Sequence, residues 1–302
     1  MTVLVGSVFL ISSLLLLNSK IQKKFQDFFY ERPSFIFLVP WLLAMFACAV
    51  AAPQGMLRPD FRNLIHLIFI FTFAPTFLIY YKRRKWFGGE ESSWLEFGVI
   101  FMLWLPIELS MWKGFDWLKI FFGQSAYILT YGMAVILGLM FFVCFKPLDG
   151  MKYNLLTGRG DIVKPVLGFI IAAAVLIPLG LWLGFLGQFR LPQDLSLGGV
   201  AVKFGAILFG IALPEEILFR SLIQNWLMRK FGASNRVLLV SALIFGSAHL
   251  NNGPGPLPNW RYFILATVAG FIYGKVFQKS SSVFSSAGLH AAVNTVRHTF
   301  FG

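Results

Sequence analysis

Long apolar stretches, separated by short polar connectors, run along the whole chain and predict a bundle of membrane helices. A helix needs about 20 apolar residues to cross a bilayer. Glu108 interrupts the fourth stretch and the eighth is short, so the pattern predicts an all-α, polytopic integral membrane bundle of about eight to ten transmembrane helices. The candidate spans are 2–19, 35–54, 64–81, 94–112, 124–145, 165–186, 205–228, 236–251, 261–278 and 283–301.

The composition supports a membrane protein. Of the 302 residues, 57% are hydrophobic and 13% are charged, whereas soluble domains are about 45–50% apolar and about 25% charged. No basic region precedes the apolar run 2–19 and no small-residue cleavage site follows it, so we interpret it as a membrane helix and not as a signal peptide. Cys48 and Cys144 lie in apolar segments, which favours packing over metal or redox chemistry.

The lysines and arginines predict the orientation of the chain. If ten helices span the membrane, 17 of the 26 basic residues fall in odd-numbered loops and seven in even-numbered loops. Cytoplasmic loops collect Lys and Arg, so the N-terminus is predicted outside, in a bacterial or archaeal cell membrane. This bias also explains the net charge of +13 without a nucleic-acid partner, because no soluble domain is predicted to carry one.

A polar stretch at 146–164 divides the chain into two predicted modules. Residues 1–160 form an N-terminal transmembrane module of about five helices, to which the sequence assigns no role. Residues 161–302 hold most of the ionisable residues found inside apolar segments. Within them, the Gly/Pro-rich stretch 251–259 is predicted to be a connector or a gate over a site.

The segment 212–221, ALPEEILFRS, places ionisable residues where a lipid-buried helix is expected to be apolar. Such residues are costly in a bilayer and therefore indicate a functional site. Glu216 and Arg220 are four positions apart, about 40° on a helical wheel, and are predicted to pair. Glu215 points to a different face, where burial suits a general base. Pro214 predicts either an ordinary kink or an irregularity with room for water.

Two further apolar segments carry polar residues at helical spacing. In FGSAHLNN, Phe245 and His249 are four residues apart, and in LHAAVNT the same spacing separates His290 and Asn294. A lone membrane histidine is more often an interhelical hydrogen-bonding residue. Two histidines, an asparagine and Glu215 on three helices instead predict one shared site.

These three motifs, E-E-x-x-x-R, F-x-x-x-H and H-x-x-x-N, resemble in order and spacing those of the CAAX-protease and bacteriocin-processing family. This group of glutamate-type intramembrane proteases includes the Ras-converting CAAX endopeptidases. The resemblance covers about residues 200–302. It implies an endopeptidase that hydrolyses a peptide bond in a membrane-associated, lipidated or C-terminal-tail substrate, without a cofactor. Its implied partners are that peptide or protein substrate and the lipid bilayer.

The resemblance also implies a role for each matching residue. Glu215 and His249 would activate a water, and His290 and Asn294 would stabilise the oxyanion. Glu216, Arg220 and Phe245 would support them.

Other protease chemistries fit the residues less well. The stretch GRGD at 158–161 spells the motif of aspartyl intramembrane proteases but lies in a polar connector, and Ser247 lies about 200° from His249 on a helix. No H-E-x-x-H zinc motif is present.

Three alternatives stay open at this point. Glu215, His249 and His290 could ligate a metal ion. The same buried charges could serve a proton- or ion-coupled transporter, or the chain could be a non-catalytic membrane immunity or scaffold protein.

Overall fold

The computed structural model describes residues 2–54, 59–85, 93–111, 125–252 and 256–301. Within these ranges the chain is helical and contains no strand, which confirms the predicted all-α fold. The helices are α1 (Thr2–Leu15), α2 (Ser19–Glu31), α3 (Leu38–Ala51), α4 (Pro59–Lys85), α5 (Trp94–Met111), α6 (Ser125–Leu139), α7 (Gly160–Trp182), α8 (Leu197–Phe231), α9 (Asn235–Ser247), α10 (Trp260–Lys279) and α11 (Val283–Phe300).

Several of these helices are long and apolar enough to cross a membrane, so the protein is an integral membrane protein. Among the described residues there are five such segments, and the bent pair α1–α2 makes a sixth if it is counted as one span. The five are Pro33–Ala51, Ile65–Arg83, Ile128–Phe145, Gly160–Trp182 and Leu197–Phe231. Helix α9 is apolar but shorter.

Helix α2 occupies a stretch that the hydropathy pattern predicts as a polar connector. The chain bends by 86° after α1, and the Asn18 side chain then caps α2 by accepting a hydrogen bond from the Lys20 amide. Ile21, Phe25, Phe28 and Phe29 recur at helical spacing along α2, and Phe29 is buried with its ring 5.7 Å from that of Phe145. The segment is therefore amphipathic, and a hydropathy window averages this pattern away.

The chain forms two compact units, residues 1–151 and residues 152–302. The first contains α1–α6, and the second contains α7–α11. In the second unit, α7, α10 and α11 share an apolar core that includes Ala172, Leu176, Tyr273 and Leu289. Side-chain caps from Ser196, Ser234, Asn259 and Ser282 begin α8 to α11 and satisfy amides that the first turn of a helix leaves unpaired.

A polar clasp, formed by Lys152 and Asp161, ties the start of the second unit to the turn between α10 and α11. Lys152 Nζ donates to the carbonyls of Phe277, Gln278 and Ser280 at 2.7, 3.1 and 2.8 Å. Asp161 accepts from the backbone amide of Ser281 at 2.7 Å and from its hydroxyl. The aspartate of GRGD thus lies in the first turn of α7 and holds the turn that leads into α11.

Helix α8 is irregular around Pro214. The helix widens into π-helical turns at Leu208–Ala212 and again at Ile217–Gln224, with a short α-helical stretch, Leu213–Glu216, between them. A proline removes one helical hydrogen bond, and π-helical turns occur frequently at functional sites. Of the two alternatives left open at Pro214, an ordinary kink and an irregularity, the structure shows an irregularity that extends from Leu208 to Gln224.

Candidate active site

A buried ion pair on α8 lies at the bottom of the site. Arg220 Nε donates to Glu216 Oε2 at 3.0 Å, and both side chains are fully buried. The guanidinium also lies over the Phe245 ring, with Cζ 4.7 Å from the ring centroid. The pair predicted from the four-residue spacing is therefore present, and Phe245 from α9 covers its cationic member.

His290 of α11 joins both glutamates. Its Nδ1 lies 3.2 Å from Glu216 Oε1, and its Nε2 lies 3.9 Å from Glu215 Oε2. The Tyr273 ring stacks on the imidazole at a centroid distance of 4.8 Å and an interplanar angle of 24°. Because its two nitrogens face different carboxylates, His290 is the connection between the ion pair and Glu215.

His249 lies two residues beyond the end of α9, where the sequence pattern predicts a continuing helix. Its Nδ1 is 2.8 Å from the carbonyl oxygen of Phe245. A carbonyl can only accept a hydrogen bond, so Nδ1 carries the hydrogen and Nε2 of the neutral imidazole is the acceptor. The second histidine thus has an acceptor nitrogen that can take a proton.

A cavity of about 80 Å³ brings these groups together with Asn294. His249, His290 and Asn294 line it, and its remaining wall is largely apolar, from α7, α10 and α11. A site needs roughly 10–15 Å³ of such volume to hold one water, so there is room for water beside the polar side chains. The structure therefore assembles the residues of all three motifs around or directly behind one cavity.

Three side chains at this site were not among the residues predicted from the sequence. Tyr262 and Arg297 line the cavity, and Tyr273 lines it while stacking on His290. The position of Arg297 within an apolar segment was a usable signal for it. The two tyrosines had no such signal, because aromatic residues are common throughout this chain.

Close helix packing places Phe245 and His249 against α10. A Cβ atom on Gly246 would lie 2.0 Å from Thr267 Oγ1 and 2.9 Å from the Phe263 carbonyl oxygen. A Cβ atom on Gly270 would lie 2.9 Å from the Phe245 ring. Membrane helices use small residues to let their backbones approach in this way, so the glycines set how far the Phe245–His249 motif stands from α10.

In the described part of the chain, no group of three His, Cys, Asp or Glu side chains is arranged to hold a metal ion. Glu215, His249 and His290 are neighbours, but they do not form such a ligand set.

Comparison with known proteins supports the resemblance carried by the three motifs. Residues 198–296 match the family model described as Rce1-like, type II CAAX prenyl endopeptidase. The match spans α8 to α11 up to Val296, and therefore includes every predicted site residue. It confirms the family resemblance over this third of the chain and implies a protease. The chain matches no curated protein and no solved structure.

Proposed function

We propose that the protein is an intramembrane endopeptidase that cleaves its substrate with a water activated by Glu215 and His249. The observation that carries the proposal is the convergence of His249, His290 and Asn294 on one cavity, with Glu215 Oε2 3.9 Å from Nε2 of His290. A carboxylate and an imidazole whose Nε2 is an acceptor form a suitable pair for taking a proton from water.

In this mechanism the water oxygen attacks the carbonyl carbon of the scissile peptide bond, and the water proton passes to the Glu215–His249 pair. The resulting oxyanion accepts hydrogen bonds from the Asn294 amide and from Nε2 of His290. The carbon–nitrogen bond then breaks as the captured proton moves to the leaving amine. The products are a carboxylic acid and an amine, and no covalent enzyme intermediate is formed.

The ion pair behind the cavity supplies the charge balance for this chemistry. Arg220 compensates the charge of Glu216, and Glu216 in turn fixes the His290 imidazole through Nδ1. A hydrogen on Nε2 of His290 would be the one that the oxyanion accepts. Glu216, Arg220 and Phe245 therefore act through His290 and His249 and need not touch the substrate.

The cavity also favours a class of substrate. Its walls include Phe169, Ala172, Leu176 and Leu265, which are apolar and line the cavity together with the two histidines. Such a wall favours a substrate whose cleavage site is flanked by apolar side chains or by a lipid group. A membrane-associated peptide, a lipidated peptide or a C-terminal membrane tail has this chemistry.

We further propose that the site lies in the outer half of the bilayer. The predicted excess of basic residues in odd-numbered loops puts the N-terminus outside, and α9 would then run outwards to His249. Reporter fusions after Lys82 and after Pro258 test this orientation. A cytoplasmic signal from the fusion at Lys82 and an external one from Pro258 are expected, and a cytoplasmic signal at Pro258 would overturn the assignment.

The function itself is tested by incubating the purified protein in detergent with a quenched peptide library. The variants Glu215→Gln and His249→Ala are assayed in parallel, with Glu31→Gln as a control because Glu31 is exposed on α2. We expect both site variants to lose cleavage, and the control variant and the chelator-treated protein to keep it. Loss of cleavage in chelator with recovery by zinc would indicate that the same residues bind a metal ion.

Two other results would favour a function outside proteolysis. Ion or proton flux in reconstituted vesicles that Glu215→Gln abolishes, without peptide cleavage by the wild type, would indicate a transporter. A cellular phenotype that Glu215→Gln leaves intact would indicate an immunity or scaffold protein.

A further inference from the structure

Two side chains in the cavity, Tyr262 and Arg297, have no part in the proposed chemistry. Tyr262 lies in the first turn of α10, and Arg297 lies in the last turn of α11. Both line the cavity with His249. Burying an ionisable side chain in a membrane helix costs free energy, so such a residue indicates a specific role.

His249 needs support from outside its own helix. It lies in the turn after α9, where its backbone amide bonds to the Gly246 carbonyl at 2.9 Å. Its imidazole is held between two rings, that of Phe245 at a centroid distance of 4.7 Å and that of Tyr262 at 4.6 Å. The Tyr262 ring meets the imidazole nearly at right angles, at 73°. Tyr262 is thus the wall that stops the imidazole from turning away from Phe245.

Tyr262 is itself held at both ends. Its backbone amide donates to Asn259 Oδ1 at 3.1 Å. Asn259 also bonds the His249 turn, because its amide donates to the Leu250 carbonyl at 2.6 Å and its Nδ2 donates to the Asn252 carbonyl at 2.9 Å. One residue therefore links the turn that carries His249 to the first turn of α10.

Arg297 holds the other end of Tyr262. Its Nη1 lies 3.5 Å from the Tyr262 hydroxyl, and its Cζ lies 5.2 Å from the Tyr262 ring centroid and 4.5 Å from that of Phe185. No acidic side chain in the described ranges forms an ion pair with Arg297. The planar guanidinium therefore stacks on two aromatic rings, an arrangement that lysine does not reproduce.

We propose that Tyr262 and Arg297 are positioning residues that fix the orientation of the His249 imidazole. Tyr262 blocks rotation of the imidazole, and Arg297 locks Tyr262 in place from α11. The same arginine sits two turns after His290 on α11, so it joins the histidine of α9 to the helix that carries the other histidine. This inference rests on the proposed function only for its effect on catalysis.

The first test measures kcat and KM for the peptide that the library identifies. Tyr262→Leu removes the ring and is expected to lower kcat about 10- to 100-fold with KM within about twofold, because a small misplacement of a reacting group is costly. Tyr262→Phe keeps the ring and should lose less than about fivefold. Arg297→Lys should fall between the two. Tyr30→Leu is the matched control, since Tyr30 is exposed on α2.

The second test does not depend on activity. Diethyl pyrocarbonate modifies accessible imidazoles, and mass spectrometry can follow His249 against the exposed His298 in the same molecule. Tyr262→Leu should speed modification of His249 about threefold or more, since its wall is lost. Tyr262→Phe should leave the rate near that of the wild type, and the rate at His298 should not change.

The outcomes separate this inference from the proposed function. Unchanged modification of His249 in Tyr262→Leu would overturn the positioning role, whether or not the protein cleaves peptides. A rise in KM alone for Arg297→Lys would overturn the role of Arg297 and indicate contact with the substrate. Altered modification without any wild-type cleavage would support the positioning role while contradicting the proteolytic function.

Discussion

The two units bury carboxylates in different surroundings. In the first unit, Glu96 is fully buried, pairs with Lys146 and accepts a hydrogen bond from the Ser93 amide at 3.0 Å. In the second unit, Glu216 is fully buried and also engages both of its oxygens, with Arg220 and His290. A buried, paired carboxylate is therefore common to both units.

The difference lies in what stands beside each pair. Glu216 is followed outward by His290, Glu215 and a cavity, whereas Glu96 meets a lysine whose side chain is 24% exposed. A buried charge by itself therefore shows only that a partner must compensate for its lost hydration. A connected set of ionisable groups beside a cavity indicates a candidate site.

The largest expected difference between the units is in catalysis. Glu215→Gln should lower cleavage about 10²- to 10⁴-fold, because the amide cannot take a proton from water. Glu96→Gln should leave the rate per folded molecule within about twofold, since Glu96 belongs to the other compact unit. Single-turnover cleavage, normalised to folded protein, makes the comparison. Equal losses in the two variants would show that the chemistry depends on both units.

The next largest effect concerns the stability of the two ion pairs. Arg220→Met leaves Glu216 buried without its cation and should lower the free energy of unfolding by about 3–5 kcal/mol. Lys146→Met should lower the free energy of unfolding by less, about 1–3 kcal/mol, because the Lys146 side chain is partly exposed. Denaturation in detergent measures both. Recovery of stability in Glu216→Gln/Arg220→Met would identify the uncompensated charge as the cause, and equal losses in the two single variants would contradict the comparison.

Helix packing provides a smaller contrast. Gly246→Ala introduces a Cβ that would clash with Thr267 and should cost about 1–3 kcal/mol while slowing cleavage through His249. Gly98 in α5 has no heavy atom within 4 Å of an added Cβ, so Gly98→Ala should leave stability unchanged or raise it by up to about 1 kcal/mol, because alanine favours a helix interior. If thermal unfolding shifts alike in the two variants, the close approach of α9 and α10 is not what holds His249.

The smallest effect is expected at the polar clasp of the second unit. Burial lowers the pKa of Lys152 below its ordinary value of 10.5, and the charge of Lys164 lowers it further. Between the two pKa values the unfolded chain binds more protons than the native protein, so this lysine makes stability rise with pH there. Unfolding measured from about pH 8 to pH 10 should show a steeper rise in the wild type than in Lys152→Met. Parallel slopes would contradict this assignment.

Local patterns were enough to predict much of the molecule. Apolar stretches of sufficient length predicted the membrane helices, because a bilayer demands them of any spanning chain. The spacing of Glu216 and Arg220 predicted their pair, since residues four apart always meet on a helix. The order of the three motifs predicted the family resemblance, which the match over residues 198–296 confirms. The roles assigned to the site residues stay predictions until the variants are assayed.

Other features depended on contacts between distant parts of the chain. The tertiary structure decided three such contacts. It brings His290 to both glutamates, places Tyr262 and Arg297 near His249, and lets Asp161 hold the turn before α11. The amphipathic α2 also escaped prediction, because its polar face lowers the average hydropathy of the segment. The sequence by itself determined where the long apolar helices form and which of their residues are chemically unusual, because both follow from local composition and spacing. Only the tertiary structure decided which unusual residues meet, because helix contacts depend on the packing of side chains far apart in sequence.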